Sequence, residues 1–198
     1  SDVCSSDLLP GVRISEVLAA NTGGFTYSNT TPDAIELQNL TGTAIDLAGF
    51  RLTDDPANPS KFIFPAGASL PANGYLTVFA NNPDGTPGYH LGFNLAQSGD
   101  GVYLYASTDF GGALIDSVTF GLQVENLSIG RLADGAWALS VPAFGAANRG
   151  AATGLPSRLR INEWLAAGTT PYGYDFLELY NADPSPVRSE EHTSELQS

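Results

Sequence analysis

Residues 33–55, which read DAIELQNLTGTAIDLAGFRLTDD, decide the fold of this chain. Apolar Ile35 and Leu37 alternate with polar residues, and the same two-residue period resumes at Ile45 after a polar turn. Alternation of this kind is typical of a β-strand with one buried face. The stretch therefore predicts one strand, a turn, and a second strand with a corner at Gly49. Short alternating segments separated by Gly, Pro, Asn or Asp continue beyond it.

The composition favours an all-β protein. Only 15% of the residues are charged, and the chain holds 22 glycines and 13 prolines, which is typical of many tight turns. Roughly nine or ten short strands at intervals of about ten residues, without a helical period, predict two packed antiparallel sheets. A β-solenoid is the alternative, but no repeat of 20 to 30 residues supports it.

The two ends differ from the rest of the chain in composition and periodicity. Residues 1–8 (SDVCSSDL) and 188–198 (RSEEHTSELQS) resemble translated sequencing-adapter read-through, with a genuine flexible terminus as the alternative. We expect neither segment to contribute to the fold. Without these two segments the chain holds no cysteine, since Cys4 is the only one, and His90 is its single histidine, so a zinc site is not expected. Because the ends hold five acidic residues and one basic residue, the net charge changes from −13 to −9.

The charge and hydropathy of the chain exclude several classes of function. An acidic surface with singly scattered Lys and Arg residues repels phosphate backbones, so we expect no nucleic-acid partner. No apolar run is long enough for a membrane-spanning helix. No secretory segment precedes the first predicted strand, so an export signal would lie upstream of this sequence.

A long internal repeat divides the chain. VRISEVLAAN (12–21) recurs as LRINEWLAAG (159–168), and DAIELQN (33–39) recurs as DFLELYN (175–181), with a shorter loop between the two segments of the second copy. Two strands cannot bury a core alone, so the second copy is predicted to be incomplete. The predicted organisation is a complete domain at 9–148, a linker rich in small residues at 149–158, and the start of a second domain at 159–187.

The order of several motifs carries a family resemblance. IELxN (35–39), IDLxGFxLTD (45–54), FxFPxGxxLxxxGYLxVFA (62–80) and DSVTF (116–120) together resemble the lamin tail domain of large exported bacterial proteins. The resemblance implies an immunoglobulin-like antiparallel β-sandwich. It also implies a non-catalytic, extracellular or cell-surface module that spaces or tethers an enzyme or adhesive region. Its expected partners are neighbouring domains of the same polypeptide, another protein, or a cell-surface polymer.

Paired acidic residues are the first candidates for chemistry. Glu16 and Glu36 lie on predicted neighbouring strands and recur as Glu163 and Glu178. Two carboxylates can share a proton or bind a cation, but such residues also face solvent or accept a backbone amide, and we favour these structural roles. Asp54 and Asp55 are candidates for calcium ligands, or for acceptors of turn amides. Residues 25–32 hold none of the acidic side chains that related domains often carry there.

Neither a catalytic centre nor a cofactor site is expected. His90 lies in a loop rich in Gly and Pro, and the chain has no G-x-S-x-G turn or oxyanion-hole motif beside it. We therefore predict no catalytic residue, no cofactor and no metal ligand. Asn29, Asn39 and Asn126 fit the glycosylation acceptor pattern, which a bacterial source makes incidental.

Aromatic residues provide an alternative binding function. A surface for carbohydrate or a cell-surface polymer would use exposed aromatic rings, and the candidates are Tyr27, Tyr89, Tyr103, Tyr105 and Trp137. Tyr103 and Tyr105 are two residues apart on one predicted strand, so they share a face. The competing interpretation is that these rings pack in the core or against a neighbouring domain.

We predict that calcium leaves the melting temperature of the protein unchanged, because no specific calcium site is expected. Thermal unfolding with and without millimolar calcium checks this. A calcium-induced rise in melting temperature that Asp54→Ala abolishes would contradict the prediction.

Overall fold

The structure, a computed structural model, describes residues 11–168 and 173–187. The chain divides into two compact units, Ser1–Ala151 and Ala152–Ser198. The adapter-like ends, 1–8 and 188–198, lie outside the described residues. Within the described ranges the regular structure consists of fourteen strands and two short 3₁₀ turns, at Thr108–Phe110 and Pro156–Arg158.

The first unit is built from short strands. They are β1 (Val12–Leu18), β2 (Asp33–Asn39), β3 (Ile45–Asp46), β4 (Arg51–Thr53), β5 (Phe62–Ile63), β6 (Ser69–Leu70), β7 (Tyr75–Ala80), β8 (Asp100–Tyr105), β9 (Leu114–Phe120), β10 (Ser128–Arg131), β11 (Trp137–Val141) and β12 (Arg149–Gly150). One sheet has the order β12-β11-β10-β1-β2-β7, and a second has the order β5-β4-β8-β9. Strands β3 and β6 form a separate ribbon. All paired neighbours are antiparallel, which confirms the predicted all-β, immunoglobulin-like antiparallel β-sandwich.

Alternate residues of the two sheets fill the core between them. Ile14, Ile35 and Leu37 come from the six-stranded sheet and meet Leu52 and Leu104 from the four-stranded sheet. All five side chains are fully buried. Burial of a side chain of this size stabilises the fold by about 1.5 to 3 kcal/mol, so the two-residue period decides which face of each strand points inward.

The stretch at 33–55 crosses from one sheet to the other. Strand β2 pairs with β1 and β7, whereas β4 pairs with β5 and β8. The two predicted strands of this stretch therefore do not pair with each other. The predicted corner at Gly49 is present, with a φ of 78°, a backbone conformation that glycine adopts without steric cost.

Strand β7 has a different position from the predicted one. Its two apolar faces predict a central strand, but β7 ends the order of the six-stranded sheet and pairs only with β2. A loop covers its other side: the Phe79 N–H donates to Tyr89 O at 2.8 Å, and the Leu91 N–H donates to Phe79 O at 2.9 Å. On the face of β7 that points away from the core, the Phe79 ring packs against the loop residues Tyr27 and His90, so the second apolar face reflects packing against loops. The alternating residues 91–95 form no strand.

One acidic side chain joins the two sheets. Asp116 on β9 accepts a hydrogen bond from the Ile14 N–H of β1 at 2.8 Å. Both of its carboxylate oxygens also bind Arg131 Nη2 of β10, at 2.9 and 2.8 Å. The guanidinium of Arg131 in turn lies over the Trp137 ring, 4.7 Å from its centroid. Asp116 therefore links the four-stranded sheet to two strands of the six-stranded sheet.

The second unit contains one hairpin among its described residues, formed by β13 (Leu159–Leu165) and β14 (Phe176–Asn181). It repeats the register of β1 and β2. Ile161 pairs with Leu179 and Glu163 with Glu178, as Ile14 pairs with Leu37 and Glu16 with Glu36. The irregularity that follows Ile14 also follows Ile161. The repeated motifs therefore fold into the same local structure.

We predict that Asp116→Ala lowers the free energy of unfolding by about 2 to 3 kcal/mol, because it leaves the Arg131 guanidinium and the Ile14 N–H without their acceptor in a largely buried position. Urea denaturation at neutral pH measures the change.

Asp134→Ala is the matched control, since Asp134 is exposed and bonds only to the nearby Ala136 N–H. It should cost less than about 1 kcal/mol. Equal effects of the two substitutions would contradict the linking role of Asp116.

Candidate functional site

Two glutamates face each other on the side of the six-stranded sheet that points away from the core. Glu16 on β1 pairs with Glu36 on β2, and both side chains are 0% exposed. Alternation explains their direction, because the neighbouring residues Ile35 and Leu37 point into the core. A pair of carboxylates without access to water requires polar partners.

The segment 142–148, here called the strap, supplies those partners. The Ala143 N–H donates to both carboxylate oxygens of Glu16, at 3.1 and 3.2 Å. The Gly145 N–H donates to Glu36 Oε1. Both glutamates therefore accept backbone amides, which is one of the two structural roles expected for them from the sequence.

The conformation of the strap suits this binding. The Ala146 N–H donates to Ala143 O at 3.0 Å, which closes a turn with Gly145 at its third position. Gly145 has a φ of 86°, which a side chain would strain, so a glycine is favoured there. The Phe144 ring contacts the Phe25 ring with centroids 4.5 Å apart. The backbone N–H groups of Ala143 and Gly145 and the Phe144 ring thus hold the turn of the strap against the rest of the unit.

Further polar side chains complete the site beneath the strap. Ser128 Oγ donates to Glu16, and Asn148 Nδ2 donates to Ser15 O at 2.9 Å. Glu36 Oε2 is buried without a hydrogen-bond partner, as is Asn148 Oδ1. No ion pair among residues 11–168 and 173–187 includes either glutamate. The pair is therefore held by neutral donors.

Burial dominates the electrostatics of this site. It raises the pKa of Glu36 to about 7; the Gly145 N–H opposes this rise, and the nearby Glu16 carboxylate adds to it. Burial also raises the pKa of Glu16, against the hydrogen bonds from Ser128 and Ala143. A carboxyl group that loses its water without gaining a cation favours its neutral form.

The acidic pair proposed for calcium is engaged in local contacts. Asp54 forms an ion pair with Lys61 at 2.7 Å, and Asp55 Oδ1 accepts the Ala57 N–H at 2.9 Å. Asp55 thus accepts a turn amide. In the described part of the chain, no group of three or more His, Cys, Asp or Glu side chains is placed to hold a metal ion.

His90 is buried within its own loop. Its Nδ1 lies 2.7 Å from Asn81 Oδ1, and its Nε2 lies 3.1 Å from both Thr86 Oγ1 and Thr86 O. Asp84 Oδ1 is 3.8 Å from the same Nε2. These contacts order the loop next to β7 and bring no serine or cysteine nucleophile to the imidazole.

The five aromatic residues do not form one continuous surface. Tyr103 and Tyr105 lie on β8 in the four-stranded sheet, whereas Trp137 lies on β11 in the six-stranded sheet. Tyr27 stacks on Phe79, with ring centroids 4.2 Å apart. Tyr89 packs against the core beside Phe64. Binding by any of these rings stays a prediction.

Two of the three asparagines that fit the acceptor pattern have structural partners. Asn39 is buried, and its Nδ2 donates to Thr43 O at 2.7 Å and Pro71 O at 2.9 Å. Asn126 Oδ1 accepts the three consecutive N–H groups of residues 22–24, each at 2.8 Å. These amides order loops.

The hairpin of the second unit carries the same two carboxylates in an open state. Glu163 and Glu178 are exposed, and Asn162 Nδ2 donates to Glu178 Oε1 at 2.7 Å. Together with Tyr174 and Phe176 they line an open groove. The recurrence of Glu16 and Glu36 as Glu163 and Glu178 in the sequence predicted that these residues lie side by side. The strap itself has no periodicity, so sequence reasoning missed it.

We predict that the first unit becomes more stable as the pH falls from about 8 to about 5. A raised pKa means that the folded state binds more protons than the unfolded state between about pH 4.5 and 7. The stability is therefore fully present below this window and is lost as the pH rises through it, by about 2 to 3 kcal/mol. Urea denaturation across this range measures it.

Glu36→Gln removes the titration of Glu36 and keeps an acceptor for Gly145, so it should reduce the slope of the curve and exceed the stability of the native protein by about 2 kcal/mol at pH 8. Glu16, whose pKa is also raised, accounts for the slope that stays. Asp109→Asn, at an exposed position, should leave the slope unchanged. Stability that rises between pH 5 and 8 would contradict this account of the buried pair.

Comparison of the sequence with known protein families identifies the sandwich domain. The family model of the Lamin Tail Domain matches residues 9–121, more than half of the chain. No curated protein matches the chain. Among the described residues, no helix is long and apolar enough to cross a membrane. The match covers most of the sandwich described above, and the chain belongs to the lamin tail domain family.

Proposed function

We propose that this chain is a non-catalytic interaction module of a larger exported bacterial protein, in which it spaces or tethers an enzyme or an adhesive region outside the cell. The observation that carries this proposal is that the side chains capable of catalysis are engaged in contacts within the fold. Glu16, Glu36 and His90 all bond to groups of the fold itself. Domains of this family are generally non-catalytic immunoglobulin-like modules.

The charge of the surface supports a partner other than nucleic acid. The chain without its adapter-like ends has a net charge of −9, and Arg51 and Arg131 are engaged in contacts within the fold. A phosphate backbone would meet repulsion. Neighbouring domains of the same polypeptide, another protein or a cell-surface polymer remain the proposed partners.

We infer a tandem arrangement, with a first domain at 9–148 that β12 (Arg149–Gly150) extends by two residues, a linker in the rest of 149–158, and the start of a second domain at 159–187. Ile161, Leu177 and Leu179 are 60%, 59% and 54% exposed, whereas their counterparts in β1 and β2 are fully buried. A two-stranded hairpin cannot bury these side chains alone. Strands equivalent to those of residues 44–141 would cover them.

Recovery of the full open reading frame tests the proposal. We expect an export signal upstream, an enzymatic or adhesive domain in the same frame, and a continuation of the second lamin tail domain after residue 187. A frame that encodes only a cytoplasmic protein without such neighbours would contradict it.

The second candidate function is binding of carbohydrate or a cell-surface polymer by the four-stranded sheet. Tyr103 and Tyr105 keep partial exposure on its outer face, and the Arg51 guanidinium lies 5.5 Å from the centroid of the Tyr105 ring. Ile63, which pairs with Arg51, is exposed beside them. Flat aromatic rings next to a polar group suit a saccharide face.

A glycan array separates the two candidates. A spacer retains no saccharide, whereas a carbohydrate-binding module retains one and loses it in the Tyr103→Ala, Tyr105→Ala double variant. Leu122→Ala is the control, because Leu122 is an exposed apolar residue in the loop after β9. Retention that the tyrosine substitutions abolish and the control preserves would replace the spacer proposal with the binding proposal.

A further inference from the structure

The strap is held to the first unit mainly by polar contacts. Its residues are half-buried or exposed except for Asn148, and its turn carries the exposed residues Gly145 and Ala146. Strand β12, which follows the strap, consists of two exposed residues and ends the order of the sheet. Segments with few buried apolar contacts open at the lowest free energy. The strap can therefore leave the sheet at a smaller cost than the unfolding of the whole unit.

The sheet beneath the strap is anchored independently of it. Strand β1 lies between β10 and β2, and β2 lies between β1 and β7. The side chains of Ile14, Ile35 and Leu37 are fully buried on the opposite face of these strands. Removal of the strap would thus bring water to Glu16 and Glu36 and leave the core closed.

The closed strap holds two carboxylates at paired positions with neutral donors alone. Glu36 accepts the Gly145 N–H through one oxygen, and its other oxygen, Oε2, is buried without a hydrogen-bond partner. Two ionised carboxylates in such a site repel each other and lose their hydration, so the pair favours a state that keeps one proton. Burial raises the pKa of Glu36 to about 7, which outweighs the opposing Gly145 N–H, and the Glu16 charge adds to this rise.

The elements packed around Glu36 carry further titratable and charged groups. Besides Glu16, they are Asp33 on β2, Arg13 on β1, Tyr75 on β7, Arg131 on β10, Tyr27 in the loop that carries Phe25, and Arg149 after the strap. Residues 142–148 contribute none. In the described part of the chain, no ion pair joins any of these cations to Glu16 or Glu36.

Most of these groups have partners or charges that do not compensate the glutamates. Three are bound within the fold: Arg13 to Gln38 Oε1, Arg131 to Asp116, and Tyr27 to Pro87 O. Burial raises the pKa of Tyr75 above its ordinary value, so this phenol is neutral at pH 8. Asp33 accepts the Asn21 N–H, and burial raises its pKa as well. A variant of Glu36 separates the contribution of Asp33 from that of the pair.

We propose that residues 142–148 form a pH-sensitive cover, which is closed while the two glutamates share a proton and opens locally, with the sandwich still folded, when both are ionised. Opening replaces the amide donors of Ala143 and Gly145 with water and hydrates both carboxylates. It also frees the segment through which the first unit continues into the linker. The outer face of β1 and β2 therefore becomes more accessible above neutral pH and is covered in mild acid.

The direction of the pH dependence follows from the proton that the closed form binds. The pKa of Glu36 is about 7 beneath the strap and returns towards the ordinary 4.5 in water. The free energy that holds the strap closed is therefore fully present below about pH 4.5 and is lost as the pH rises through about 7. A difference of one in pKa corresponds to a factor of about ten in the ratio of open to closed form. The open fraction should grow at least about tenfold between pH 5 and 8.

Native-state hydrogen exchange tests the local opening. The full ¹⁵N-labelled chain is transferred into D₂O at pH values from 5 to 8, and each exchange rate is corrected for its intrinsic dependence on pH. We expect the protection of the Ala143 and Gly145 amides to fall at least about tenfold across this range. Urea below the unfolding transition should leave their exchange nearly unchanged and accelerate the most protected amides of β8, because only global unfolding exposes a large surface.

Neutral variants identify the groups that titrate. Glu36→Gln keeps an acceptor beneath the strap, and it should make the fall in protection at Ala143 and Gly145 at least about threefold smaller. Glu16→Gln removes the charge that faces Glu36 and provides a second, independent comparison. Asp109→Asn, at an exposed position of the same unit, is the control and should keep the full fall. Protection of the β8 amides reports that each variant is folded.

Three results would each overturn the proposal. The first is strap amides that match the β8 amides in protection and urea dependence at pH 8, since the strap would then open only with the whole unit. The second is unchanged protection of the strap amides between pH 5 and 8, and the third is the full fall in both glutamine variants. A loss of global stability with rising pH but without local opening would reject the cover and leave the prediction for unfolding intact.

Discussion

The structure depends on the requirement that β1 and β2 keep apolar side chains on one face and two carboxylates on the other. Ile14, Ile35 and Leu37 fill the core, while Glu16 and Glu36 lie on the opposite face under the strap. A shift of one residue in register would exchange these faces and place glutamates in the core. The pairing of the two strands is therefore specified from both sides, by the core and by the strap.

Asp116 links the two sheets at the irregularity in the pairing of β1 and β2. The irregularity after Ile14 interrupts the regular pairing of β1 and β2, and the Ile14 N–H is bound by Asp116 of the other sheet. The same carboxylate binds Arg131 of β10. A local irregularity in one strand thus coincides with the polar link between the two layers of the sandwich.

Much of the fold could be predicted from the sequence, because alternation records which face of a strand is buried. The core residues of β2, β4 and β8 follow the two-residue period directly. The pairing partners do not, since alternation carries no information on which strand lies beside which. For this reason, alternation does not predict that the strands at 33–39 and 51–53, which are close in the sequence, lie in different sheets. Alternation also does not distinguish a central strand from an edge strand that a loop covers, which is the position of β7.

The candidate site was only partly predictable. Glu16 and Glu36 were identifiable because they recur as Glu163 and Glu178, but their burial depends on the strap. The strap consists mainly of small residues with no periodicity, so its position could not be predicted from pattern. The roles of the aromatic residues could not be predicted either, because an aromatic side chain in the sequence is compatible both with burial in the core and with binding at the surface. Tyr27 and Tyr89 pack against phenylalanine rings, while Tyr103 and Tyr105 are only partly buried.

The second unit clarifies what the two glutamates do. The hairpin has the same register, and its two carboxylates, Glu163 and Glu178, are exposed, so the pairing of the glutamates belongs to the hairpin itself. In the first unit the strap adds burial and amide donors, and burial then raises the pKa of Glu36 to about 7. The raised pKa of Glu36 is therefore a consequence of its burial beneath the strap.

The most direct test of this account is a ¹³C NMR titration of the glutamate side-chain carboxyl carbons, recorded together with the amide signal of Gly145. We expect Glu36 to titrate near pH 7 and the Gly145 amide signal to shift with the same midpoint, because the two groups are hydrogen-bonded. A Glu36 carboxyl that titrates near the ordinary glutamate pKa of 4.5, with no linked change at Gly145, would contradict this relation between burial and protonation.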